Sequence, residues 1–151
     1  MFDDTDIRLL SELQKDAQLT TQELGETLGL SPSQVGRRRA RLEKDGLIRS
    51  YTAKLNADKL GLHVQAFVQV QLESHRPEQA KGFTRLVSTR PEIVSGWTLT
   101  GSSDYLLRVY CTDLRDLNRL IHEVLLPHPA VAKVQSQIVM DQCKADAPLP
   151  L

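Results

Sequence analysis

Cysteine is scarce in this 151-residue chain, and its two copies, Cys111 and Cys143, lie far apart with no Cys-X-X-Cys or Cys/His spacing. Neither a zinc site nor a disulfide framework is expected; two reduced thiols are. Long apolar runs are missing as well. None approaches the roughly 18–20 residues that a membrane span needs, and the acidic opening Met1 to Asp6 does not read as a secretory leader. A cytoplasmic protein with no membrane partner is therefore expected. The chain also lacks a phosphate-cradling glycine loop, a nucleophile–base pair and a paired metal motif, so neither catalysis nor a cofactor or metal is expected. Net charge is absent too, because 19 lysines and arginines balance 19 acids. Taken as an average, that argues against binding a phosphate backbone.

The average conceals an asymmetry. From Met1 to Gly36 acids outnumber bases seven to two, whereas Arg37 to Arg49 carries Arg37, Arg38, Arg39, Arg41, Lys44 and Arg49 against Glu43 and Asp45. The basic stretch falls at a distinctive place in the local pattern. Asp4 to Gln14 spaces Ile7, Leu10 and Leu13, with Leu9 beside them, along one helix face. Thr20-Thr21-Gln22-Glu23 has the form of a capping box and starts a short second helix ending at Gly29. Ser31-Pro32-Ser33-Gln34 then combines a serine cap, proline at the first helical position and glutamine three residues past the cap. Two helices joined by a short glycine turn, the second one basic, predict a helix-turn-helix.

With Val35 facing the core, Leu42 falls nearly in line with it, while Ser33, Arg37 and Lys44 point outward and Gln34 and Arg41 flank them. Arginine suits guanine edges and phosphates, glutamine suits adenine, and serine suits either. The set expected at DNA is Ser31, Ser33, Gln34, Arg37, Arg38, Arg41 and Lys44. Arg38 and Arg39 are rotated toward the buried side. The wheel predicts that Arg38 anchors an acidic neighbour and that Arg39 lays its methylenes over the core edge with its guanidinium in solvent. Leu47 to Leu55 alternates as a short wing hairpin or strand would, with Arg49 and Tyr51 placed to touch the DNA backbone.

The remainder reads differently. After a connector over residues 56–62, Val64 to Leu72 alternates strictly: Val64, Ala66, Val68, Val70 and Leu72 on one face, Gln65, Phe67, Gln69 and Gln71 on the other. Pro77 opens a helix with Ala80, Phe83, Leu86 and Val87, ended by Pro91; Ile93 to Thr100 and Tyr105 to Cys111 are strands around the turn Gly101 to Asp104. Asp113 caps a helix with Leu114, Leu117, Leu120, Ile121 and Val124, and Val131 to Met140 is a last strand. The order βαββαβ predicts an α+β protein: a winged helix-turn-helix at residues 1–55, then a ferredoxin-like domain at 63–151. The uncovered sheet face, with Phe67 and Val139, predicts a symmetric homodimer packed sheet against sheet.

These residues resemble the Lrp/AsnC family of feast/famine regulators over nearly the whole chain. The resemblance is carried by Asp6-Ile7 with Leu13-Gln14-Lys15-Asp16-Ala17, by Gly29-Leu30-Ser31-Pro32-Ser33, and by Arg38, Arg41-Leu42-Glu43, Gly46-Leu47-Ile48 and Tyr51-Thr52-Ala53. In the second half it rests on Thr100 to Leu107, Leu126-Pro127 with Val131, and Ile138-Val139-Met140. Arg39 departs from the pattern, standing where the family more often has an apolar residue. The resemblance implies a transcription regulator that binds double-stranded DNA, dimers that assemble into octamers or similar rings, and an amino acid or related metabolite as effector. The effector site it implies is Trp97, Thr98, Thr100, Gly101, Ser102, Ser103, Asp104, Gln137 and Ile138. Gly101 admits close backbone approach, the serines offer hydroxyls to a carboxylate, and Asp104 suits an ammonium; the competing reading is a plain hairpin turn. Two other functions compete. One is a nucleoid-organising protein, which would wrap DNA with weak sequence preference. The other is an enzyme like the haem-precursor decarboxylases that resemble this family, which the scattered His63, His75, His122 and His128 do little to support.

Overall fold

The computed structural model describes residues 2–73 and 76–151, so His75 lies outside the described residues. The chain forms two compact units: residues up to Lys54 together with Cys143–Leu151, and Leu55–Gln142. The expected second domain ran to residue 151. Its last nine residues belong instead with the first unit.

The first unit holds α1 (Asp4–Lys15), α2 (Thr21–Leu28) and α3 (Pro32–Lys44). Each begins with a full capping box, on Asp3 and Asp6, on Thr20 and Glu23, and on Ser31 and Gln34, so orphan amides at all three starts find side-chain acceptors. In the second box the Thr20 amide and hydroxyl both donate to Glu23, which holds its carboxyl below the usual range. Gly29 takes the left-handed conformation at φ 70° that lets α2 stop and the chain turn into α3. Leu9, Leu13, Leu24, Leu28, Val35 and Leu42 form the core, with Leu10, Leu19, Leu30 and Ile48 packed on it.

The expected wing is not formed. Past α3, Leu47 and Ile48 both donate to the Leu42 carbonyl, and residues 49–56 carry no strand or turn. Alternation alone cannot make a hairpin; a partner strand must follow at turn distance, and the chain passes into the connector instead.

The second unit is a four-stranded antiparallel sheet, order β2-β3-β1-β4, built from β1 (Val64–Leu72), β2 (Ile93–Thr98), β3 (Tyr105–Cys111) and β4 (Val131–Ile138). Helix α4 (Pro77–Thr89) and helix α5 (Leu114–Arg119) cover one face. From Leu120 to Leu125 the α5 segment continues as a π-turn, which the apolar spacing did not foretell. The core consists of Ala66, Val68, Val70 and Leu72 from β1, Leu107, Val109 and Cys111 from β3, and Phe83, Leu117, Leu120 and Leu125 from the helical layer. Phe83 is fully buried and meets Tyr105 edge-on at 4.9 Å. Burial pushes the Cys111 thiol up to about 11, whereas Cys143 is exposed.

The second face of the sheet is open, and strand register assigns its residues to rows. One row runs Trp97, Leu106, Gln69, Gln135; the next runs Ser95, Arg108, Phe67, Gln137.

Candidate nucleic-acid interface and effector site

Helix α3 presents a polar face because Val35 and Leu42, seven residues apart, are pinned in the core at 0% and 1% exposure. Ser33, Arg37 and Lys44 stand exposed on the opposite side. Ser31 and Gln34 are occupied with one another. The Gln34 carboxamide oxygen accepts from the Ser31 amide at 2.9 Å and from its hydroxyl at 3.1 Å. Bidentate reading of adenine needs that oxygen, so with the cap closed Gln34 offers its NH2 group alone.

Two arginines of the expected set are engaged inside the protein. Asp6 is completely buried and receives Arg38 at 2.7 Å and Arg41 at 2.5 Å, one on each carboxylate oxygen, together with the Asp3 amide at 3.0 Å. Arg38 also spans both oxygens of Asp3 at 2.8 and 2.9 Å, which lowers the Asp3 carboxyl and raises the Arg38 guanidinium. In the sequence Asp6 stood out only as part of the acidic opening and of the Asp6-Ile7 pair. Its place three residues before Leu9, on the core-facing side, was the available signal. Arg38 is thus an anchor for α1, while Arg41 keeps an exposed side and one bond inward.

Arg39 does not project into solvent. Its guanidinium lies 4.6 Å over the Tyr51 ring and donates to the Tyr51 hydroxyl at 2.9 Å, and that hydroxyl donates to Glu43 at 2.9 Å. Tyr51, expected at the DNA backbone, is therefore fastened to α3; partial burial raises its phenol above the ordinary value. The departure at Arg39 has a local reason: it is one half of a cation–π latch holding the segment that follows α3.

Gly25 was missed. A Cβ there would sit 2.6 Å from the Leu30 carbonyl oxygen, so α2 and the turn into α3 approach too closely for any side chain. Glycine inside a short helix costs about 1 kcal/mol against alanine, and that cost was the readable sign of a packing demand.

In the second unit the turn residues separate. Gly101 adopts φ 116°. The Ser103 hydroxyl donates to Gln69 at 3.3 Å, and Ser102 and Ser103 line a polar cavity of about 90 Å³ with Gln69, Gln71, Lys133 and Gln135. Those last four were not foreseen, although the β1 glutamines were read onto this face. Asp104, expected to hold an ammonium, bonds to the neighbouring strand backbone. Its carboxylate accepts the Leu72 amide at 2.7 Å, while its backbone amide donates to Val70 and its carbonyl receives Leu99. Trp97 is 46% exposed at the far end of the row that ends in Gln135, three strand spacings or roughly 14 Å across. Thr98 pairs with Tyr105 on the helix-covered side of β2, and Thr100 is exposed before the turn. Gln137 shares the open face with Phe67, whereas Ile138 pairs with Ala66 and points the other way.

A capped helix-turn-helix with an exposed basic stripe, joined to a βαββαβ sheet, defines a DNA-binding regulator with a separate ligand-binding unit. Residues 65–149 match the Lrp/AsnC ligand binding domain and residues 2–49 a winged helix-turn-helix DNA-binding domain. The chain belongs to the Lrp/AsnC family of transcription regulators. It is 32% identical over 151 residues to the DNA-binding transcriptional activator DecR of Escherichia coli, covering 100% of this chain and 99% of DecR. Against the leucine-responsive regulatory protein of the same organism it is 34% identical over 143 residues, 95% of this chain and 87% of that one. A Neisseria meningitidis transcriptional regulator solved as its L-Met complex superposes with a TM-score of 0.95 at 36% identity, covering 99% of this chain and 97% of its own.

Proposed function

We propose that a homodimer of this chain reads a palindromic operator with the Ser33, Arg37 and Lys44 stripe of α3, and that an amino acid bound on the open sheet face tunes that binding. The observation that carries the DNA half is the outward alignment of Ser33, Arg37 and Lys44 while Arg38 and Arg41 are held by Asp6. For the effector half, the polar cavity beside Gly101 supplies a cation, Lys133, and the Ser102 hydroxyl for a carboxylate. That a relative at 36% identity was solved with L-Met supports an amino acid in this role. The open face with Phe67 and Leu106 is the surface through which dimers form, and octamers or similar rings are built from these dimers. A cytoplasmic setting fits a DNA reader.

The enzyme reading has less support. His63 stands 3.8 Å from Asp58, His128 meets Phe83 edge-on, and His122 lines a separate groove beside α5, so these three histidines do not converge.

The test is selection of genomic DNA fragments by the purified protein, with and without a pool of the twenty amino acids. A palindrome with half-sites one helical turn apart, its enrichment altered by the pool, is the expected result. Fragments enriched without sequence preference would point to a nucleoid-organising protein, and no enrichment would remove the reading.

Within such a site, Arg37→Ala should relax preference at one base pair by about 1–3 kcal/mol if Arg37 reads a guanine edge. Equal weakening on every sequence would make it a phosphate contact. Asp104 and Lys133 separate structure from sensing. Asp104→Ala removes a charged acceptor from a partly buried strand amide and is expected to lower the second unit's stability by about 1.5–3 kcal/mol in urea. Lys133→Ala should leave the urea midpoint in place and abolish the amino-acid response. A preserved response in Lys133→Ala would dismiss the lysine as the carboxylate site.

A further inference from the structure

The chain leaves the DNA-reading unit after Lys54, builds the sheet, and returns to the reading unit at Cys143. What brings it back is chemically specific. In Ala147-Pro148-Leu149-Pro150, each of Ala147 and Leu149 precedes a proline and is biased toward extended backbone. In an extended residue the N–H and C=O point to the same side, which is how paired strands exchange two hydrogen bonds. Only a group with donor and acceptor side by side satisfies both. The Gln14 carboxamide on α1 does so: its oxygen accepts the Leu149 amide at 2.6 Å and its NH2 donates to the Leu149 carbonyl at 3.2 Å. A second fastening lies three residues earlier, where the Lys54 ammonium donates to the Asp146 carbonyl at 3.0 Å.

The seat is shallow. Leu149 and Leu151 line one groove with Leu10, Leu13, Ala17 and the 47–52 segment, yet remain 71% and 62% exposed. Hydrogen bonds rather than deep apolar burial hold this segment, which makes it a low-stability element able to open without unfolding the helices. The 47–52 segment, which forms no wing, is bordered on one side by the Arg39–Tyr51 latch and on the other by these residues.

We propose that residues 146–151 are a releasable strap whose receptor is Gln14 and Lys54, and that the seated strap holds residues 47–54 in place so that Arg49 can contact the DNA backbone. Seven residues, 139–145, separate the end of β4 from the strap. Release frees the 47–54 segment. The docking half stands without any functional assignment. The second half rests on the DNA-binding reading.

Hydrogen exchange on the full chain tests the docking. In Gln14→Ala the Leu149 amide, and the Leu47 and Ile48 amides that donate to the Leu42 carbonyl, should exchange about tenfold faster, the loss expected from two hydrogen bonds of ordinary net strength, while α2 and α3 keep their protection. Pro148→Gly with Pro150→Gly, which removes the bias toward extension, should accelerate the same amides. Unchanged exchange at Leu149 in either variant overturns the strap, and so does acceleration spread evenly over α1, α2 and α3. The functional half is read on a random-sequence duplex. Gln14→Ala should bind several-fold more weakly, with a log–log salt slope shallower by about one phosphate contact. Full affinity combined with accelerated exchange overturns the support of Arg49 and leaves the docking intact.

Discussion

Replacing both Arg38 and Arg41 with methionine is expected to destabilise the DNA-reading unit by about 3–5 kcal/mol, the cost of stranding a buried charge. Asp6 has no exposure to water, and the two guanidiniums hold one carboxylate oxygen each, which leaves its carboxylate the Asp3 amide once both are gone. Methionine keeps much of the arginine stem, so lost packing is a minor part of the effect. A third change separates charge from shape. Adding Asp6→Leu to the double variant removes the stranded carboxylate and should recover most of the loss, because a buried ionic group replaced as a whole by apolar side chains is often neutral. Urea denaturation followed by circular dichroism reads all three proteins. If the double variant unfolds at the wild-type midpoint, Asp6 is not held by these arginines in solution; if the triple variant is worse still, the carboxylate has a structural role beyond the pair.

This cluster also shows what the sequence could and could not express. The helix starts were legible because capping is local: Thr20 with Glu23 and Ser31 with Gln34 are three residues apart and need no tertiary partner. The strict alternation of Val64 to Leu72 likewise assigned both faces of β1, since a half-buried strand writes its burial directly in period two. Features that depend on a distant partner were not legible. Asp6 meets residues more than 30 positions away, and Asp104 meets Leu72 across 32. Residue type alone could assign neither contact: Asp6 counted only toward the acidic opening, and Asp104 was read as an ammonium holder.

The supposed wing failed for a related reason. Alternation over 47–55 was real, but no second strand follows for it to pair with, and its neighbours are a helix latch and a segment nearly one hundred residues further on. In the sheet unit, the effector site implied by the resemblance drew on the 101–104 turn, on Trp97, Thr98 and Thr100, and on Gln137 and Ile138. Within one chain, register sets these apart: the serines face Gln69 and Lys133, Trp97 stands three strands from Gln135, and Ile138 faces the opposite side from Gln137. Residues adjacent along a strand are separated by the pleat itself, and residues at equal depth on different strands are separated by inter-strand spacing.

The second large effect is expected at Gly25. In Gly25→Ala the new methyl would stand 2.6 Å from the Leu30 carbonyl oxygen, a backbone atom that cannot swing aside as a side-chain end would. Leu30 is further restrained because its own amide donates to the Gly25 carbonyl at 2.9 Å, so the two backbones are locked face to face at the turn between α2 and α3. Relief requires α3 to tilt or shift away from α2, at a cost of about 1–3 kcal/mol for overpacking. The higher helix propensity of alanine returns about 1 kcal/mol, so the net loss of stability is modest and the larger consequence is geometric. Ser33 and Arg37 lie within the first two turns of α3 and are displaced with its start. Base-edge hydrogen bonds tolerate little displacement, whereas ionic attraction to phosphates falls off gradually with distance. Sequence discrimination should therefore drop by an order of magnitude or more, about the value of one good bidentate contact, while binding to random duplex changes far less. Titration of the selected operator and of a scrambled duplex against wild type and Gly25→Ala measures the ratio directly. An unchanged ratio would show that the α2–α3 approach is relieved without moving the reading face; equal weakening on both duplexes would locate the damage in stability.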